Sequence, residues 1–99
     1  MNVVDQRSYQ AIRRAAVPCE CWVRDEAGPV DLSGETIEVQ VVAYGGRHVR
    51  ATWTATGDAA GRLQFTVPED HVLNEGLHQL RARVQPAGEL LALGLLEIV

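Results

Sequence analysis

The chain has 99 residues, 46% of them apolar and 22% charged, with nine arginines, no lysine, thirteen acidic residues and a net charge of -4. That length holds one hydrophobic core of ordinary size, and the composition is that of a globular protein. A disordered chain, a collagen and a coiled coil are excluded, and no apolar run of about 18 residues offers a membrane-spanning helix. Without a basic stripe, neither nucleic acid nor an anionic membrane surface is an expected partner.

Residues 1–17 keep no clean period. Arg7, Arg13 and Arg14 interrupt them and no continuous apolar stretch forms a leader, so synthesis in the cytoplasm is expected. Val3, Val4, Tyr9, Ile12 and Ala16 fit either an extended arm or a short amphipathic helix over Tyr9–Ala16. Pro18 separates this segment from the β region. The expected organisation is an arm or short helix at 1–17 and a β domain at 18–99.

From Cys19 the period is two. Cys19, Cys21 and Val23 share one face, and Glu20, Trp22 and Arg24 the other. Gly28-Pro29 marks a turn. Ile37, Val39, Val41 and Ala43 form the next apolar face, then Val49, Ala51, Trp53 and Ala55 against Arg50, Thr52, Thr54 and Thr56. A three-residue loop at Tyr44-Gly45-Gly46 would pair Val41 with Val49 and Val39 with Ala51, with Gly46 left-handed; a two-residue loop would put the apolar faces on opposite sides. A crossing between two sheets is the competing arrangement.

Leu63, Phe65 and Val67 point inward in the next strand. Pro68-Glu69-Asp70 stops it and predicts a short helical turn through Leu73. His78, Leu80, Ala82 and Val84 then alternate with Gln79, Arg81 and Arg83. The last segment, 89–99, is almost wholly apolar, with Gly94 marking a bulge. Such a strand is buried on both faces or touches another chain. Six or seven short strands with turn signals about every ten residues predict an all-β sandwich or small barrel.

No reactive constellation emerges. Cys19 and Cys21 in one strand stand about 7 Å apart at Cα, too far to bridge without distortion, and read as buried thiols. His48, His71 and His78 lie in separate segments, and C-x-C lacks the spacing of a structural zinc site. No G-x-S-x-G elbow or phosphate loop is present. No catalytic residue, metal ligand or cofactor is expected. Trp53 reads as core. Trp22 falls opposite the cysteines and reads as a subunit contact, a residue covered by 1–17, or a glycan platform.

The stretch Trp22-Val23-Arg24-Asp25, the turn Gly28-Pro29-Val30-Asp31-Leu32-Ser33-Gly34, the strand from Thr36, Asp58 and Gly61 before Leu63-Gln64-Phe65, and Gly76 before Leu80-Ala82-Val84 carry a resemblance. Over about three-quarters of its length the chain resembles the immunoglobulin-like domain at the N-terminus of phage baseplate upper proteins. Leu77-His78 stand where that family tends to have an aromatic residue.

The resemblance implies an immunoglobulin-like β-sandwich of six to seven antiparallel strands and a role in a virion (tail, neck or head-associated). It implies no catalytic residues. The expected partners are other virion proteins and further copies of the chain. Docking would use apolar contact and strand addition, with residues 1–17 as an arm ordering on binding and the last strand as a receiving edge. The candidate interface residues are Val3, Val4, Tyr9, Ile12, Trp22, Leu91, Leu93 and Leu95. The alternative is a carbohydrate- or receptor-binding module that stacks ligands on Trp22, Tyr44 and Tyr9.

Overall fold

The computed structural model describes residues 2–12, 15–86 and 88–99. The strands are β1 (Val3–Val4), β2 (Arg7–Ala11), β3 (Val17–Asp25), β4 (Gly28–Pro29), β5 (Thr36–Ala43), β6 (Val49–Gly57), β7 (Arg62–Val67), β8 (Gly76–Gln85) and β9 (Glu89–Ile98). Among the described residues there is no helix. The strands form one curled sheet in the order β1-β3-β7-β6-β5-β8-β9-β2, with β4 beside β3. Neighbours are antiparallel except β2 and β9, which run parallel. The all-β expectation holds; the described residues form nine strands, two of them only two residues long, where six or seven antiparallel strands were expected.

Alternation builds the core as the sequence predicts. Cys19, Cys21 and Val23 of β3, Ile37, Val39 and Val41 of β5, and Leu63, Phe65 and Val67 of β7 are buried together. Leu80, Ala82 and Val84 of β8 complete it, with His78 buried on the same face. Full burial of one such aliphatic side chain contributes about 1.5–3 kcal/mol.

Strand β9 is apolar for a geometric reason. Leu80 pairs with Gly94 and Arg81 with Ala92, so Leu93 is an extra residue in a bulge. The bulge switches the inward set from Leu91 and Leu93 to Leu96 and Ile98. One buried face therefore draws on both parities. The expected contact with another chain is not needed to explain Leu91 and Leu93, which are 5% and 0% exposed.

The N-terminal segment is part of the sheet. Val3 and Val4 pair with Arg24 and Val23, while Arg7–Ala11 pair with Gly94–Ile98. Consecutive strands thus join opposite edges of the sheet and draw it closed. Tyr9 packs edge-to-face on Phe65 and donates a 2.7 Å hydrogen bond to the Glu20 carbonyl, and Ala11 is fully buried. The helical reading fails over Tyr9–Ala11, which is strand; Arg13 and Arg14 lie outside the described residues. The receiving edge on β9 is occupied by this chain's own β2.

Two loops differ from expectation. Val41 pairs with Ala51 and Val39 with Trp53, two residues away from the expected register. A shift of two keeps the apolar faces together. The loop spans 44–48, Gly45 and not Gly46 has a positive φ (74°), and an irregularity at Val41/Val42 leaves Arg50 as the extra residue. After β7, His71 N donates to Pro68 O in a single turn, and no helix follows.

Candidate interaction surface

The two ends of the sheet have different chemistry. One pole is closed by aspartate-capped turns. Asp25 accepts from Ala27 N, Asp31 from Ser33 N, and Asp58 from both Ala60 N and Arg62 N. These are the side-chain turns that short acidic residues favour. The Ser33 hydrogen bonds hold the Asp31 carboxyl below its usual range. Gly61 (φ 82°) belongs to the Asp58 turn, and a Cβ there would lie 2.3 Å from the Val23 carbonyl oxygen. The Asp-x-x-Gly signature is thus a packing requirement.

The other pole gathers exposed apolar side chains among charged ones. Register brings Ala11 beside Ile98, Ile98 beside Gly76, Ala43 beside His78 and Val42 beside Val49. Nine large apolar side chains are exposed among the described residues, and six belong to this pole: Ile12, Tyr44, Val49, Val72, Leu77 and Val99. Val72 is 87% exposed and Tyr44 61%. Between the 44–48 loop and the 68–75 loop runs an open cleft of about 480 Å³, lined by Tyr44, Val49, Val72 and Leu77 with Arg50 and Glu75. Large apolar side chains gathered in one place mark contact surfaces.

Two histidines brace the loop beside this cleft. His78 Nε2 lies 2.9 Å from the Asn74 carbonyl, which only accepts, so Nε2 carries the proton. His71 Nδ1 accepts from Leu73 N at 3.3 Å. The remaining atoms, His71 Nε2 and His78 Nδ1, are buried without a partner among the described residues.

The predicted interface residues are scattered. Ile12 lies on the pole opposite the aspartate-capped turns. Val3 is exposed at the start of β1, Val4 packs on the core, Tyr9 is turned inward and Leu95 is partly buried. Leu91 and Leu93 are core and present no surface, for the reason the bulge supplies. Trp22 is 40% exposed on the outer face of β3. Its backbone pairs with Asp5, and the Arg62 guanidinium lies 5.9 Å from the ring centroid while bonding Glu20. Trp53 points inward but remains partly exposed, stacked on Phe65.

Val72, Leu77, Val49 and Val99 are absent from the predicted residues, and Tyr44 was expected only as a stacking residue of the binding-module alternative. Leu77 was legible as an apolar residue on the polar side of the β8 alternation. Val72 was legible as an apolar residue in a polar loop. The bulge at Arg50 turned Val49 outward, and nothing in the alternation signals it.

The cysteines are reduced and buried. Burial pushes the Cys19 thiol up to about 11 and Cys21 to about 12, far from the thiolate a nucleophile needs. Among the described residues no three His, Cys, Asp or Glu side chains group as metal ligands. Comparison with family models, curated proteins and solved structures finds no match.

Proposed function

We propose that this chain is a bacteriophage virion structural protein, built as an immunoglobulin-like sandwich, that acts by docking on other virion proteins. The observation that carries the docking reading is the pole opposite the aspartate-capped turns, where Tyr44, Val49, Val72 and Leu77 line one open cleft and Ile12 and Val99 are exposed at the same end of the sheet. The strand order supports the fold. Reading β1 and β2 as a split first strand, β1-β3-β7 match the A-B-E strands of an immunoglobulin-like domain, while β6 pairs with β5 over most of its length and reaches β7 only at Thr56 and Gly57, crossing from one layer to the other. Strands β5-β8-β9 match its C-F-G layer. The virion location rests on the resemblance in residues 22–99.

The glycan-binding alternative retains Tyr44, exposed beside Asn74 and Glu75. Tyr9 does not serve it, because its ring is on Phe65 and its hydroxyl on Glu20.

The test is antibody labelling of phage particles from the source strain. Label at one defined place on the particle is expected. Particles free of label, with the protein present in cells, would overturn the virion reading; binding to glycan arrays lost in Tyr44→Ala would then favour the alternative.

A further inference from the structure

We propose that the cleft between the 44–48 and 68–75 loops joins two copies of this chain about a two-fold axis running along it. This rests on the docking reading and names a partner for that surface. The cleft has walls of opposite charge. Arg50 at the start of β6 lines one wall, and Arg47 stands in the adjoining 44–48 loop beside His48. Glu75 lines the other, and Glu69-Asp70 occupy the turn before Val72. All five charges are exposed, and among the described residues none forms an ion pair within the chain.

A partner of one charge sign would be attracted by one wall and repelled by the other. A second copy satisfies both. Rotation about an axis along the cleft sets each basic wall against the partner's acidic wall, with Tyr44, Val49, Val72 and Leu77 of both copies between them. That is the self-complementarity an isologous interface requires. Opposite charges at the rim fix orientation, and desolvated apolar side chains at the centre hold the contact.

The experiment is light scattering coupled to size exclusion, with the full chain loaded at about 100 μM, well above a micromolar Kd. The wild type is expected to run as a dimer that dissociates on dilution. The first variant carries Arg47→Glu and Arg50→Glu, which makes both walls acidic. The second carries Glu69→Arg and Glu75→Arg, which makes both walls predominantly basic. Each alone should raise the dimer Kd at least about tenfold. Mixed one to one they should form a heterodimer, because every wall again meets its opposite.

Circular dichroism should show both variants folded, since the altered residues are exposed. A monomeric wild type, or variants that self-associate as well as wild type, would overturn the proposal. If a monomeric chain were still found in particles, only the second-copy partner would be removed and the docking reading would stand.

Discussion

Gly94 and Arg7 meet backbone to backbone. A Cβ on Gly94 would stand 1.9 Å from the Arg7 carbonyl oxygen, and Gly94 has a φ of 130°. This one contact lets β2 lie along β9 and lets the β9 bulge form. It explains why a glycine interrupts an otherwise apolar strand.

Gly94→Ala should therefore destabilise the domain by about 2–3 kcal/mol, since both the φ and the contact oppose a side chain. Urea unfolding measures it. A loss under about 0.5 kcal/mol would mean that β2 does not hold this position.

The N-terminal segment should be required for folding. Removing residues 1–11 uncovers the β9 edge, deletes buried Ala11 and removes the Tyr9–Phe65 contact. The truncated chain is expected to lose its cooperative thermal transition or to aggregate through the freed edge. Tyr9→Phe isolates the hydrogen bond to Glu20 and should cost about 1 kcal/mol. A truncated chain that melts like the full one would restore the detachable arm.

Asp58→Ala removes the acceptor for Ala60 N and Arg62 N. A loss of about 1–2 kcal/mol is expected, as for other side-chain caps on backbone donors. Asp58→Asn should retain most of it, because the amide oxygen still accepts. Equal losses in both variants would assign the role to charge and not to the turn.

Stability should fall at alkaline pH. Unfolded thiols ionise near 9, while burial raises Cys19 to about 11 and Cys21 to about 12. Above pH 9 the unfolded chain therefore binds fewer protons than the folded one, and unfolding becomes more favourable as pH rises. The urea midpoint should decline from pH 9 upward. In Cys21→Ala that decline should be shallower, even though the variant starts lower. Parallel pH profiles would contradict the assignment.

The main strands were legible because their alternation is simple. Cys19-Cys21-Val23 and Leu63-Phe65-Val67 bury one parity, which pattern alone exposes, while β5 buries Gln40 and Val42 as well as Ile37, Val39 and Val41. What escaped the pattern depends on contacts distant in sequence. Arg7–Ala11 has no clean period because β2 is a strand only by virtue of Gly94–Ile98. Leu91 and Leu93 looked like surface because a bulge, invisible to a fixed period of two, places Leu96 and Ile98 on the same face. The gathering of exposed apolar side chains at one pole escaped for a related reason. Ile12, Tyr44, Val72 and Val99 are far apart in the chain and come to one end only through the strand order.

The most direct measurement of docking is hydroxyl-radical labelling of the chain, free and within purified phage particles. Trp22 serves as an internal reference, because it pairs with Arg62 at the start of β7, about 17 Å of strand from Val67. Tyr44, Val72 and Leu77 should label readily in the free protein diluted until it is monomeric and be protected in the particle, with more protection than at Trp22. Equal labelling at Tyr44, Val72 and Leu77 in both states, with the chain present in the particle, would contradict docking through this pole.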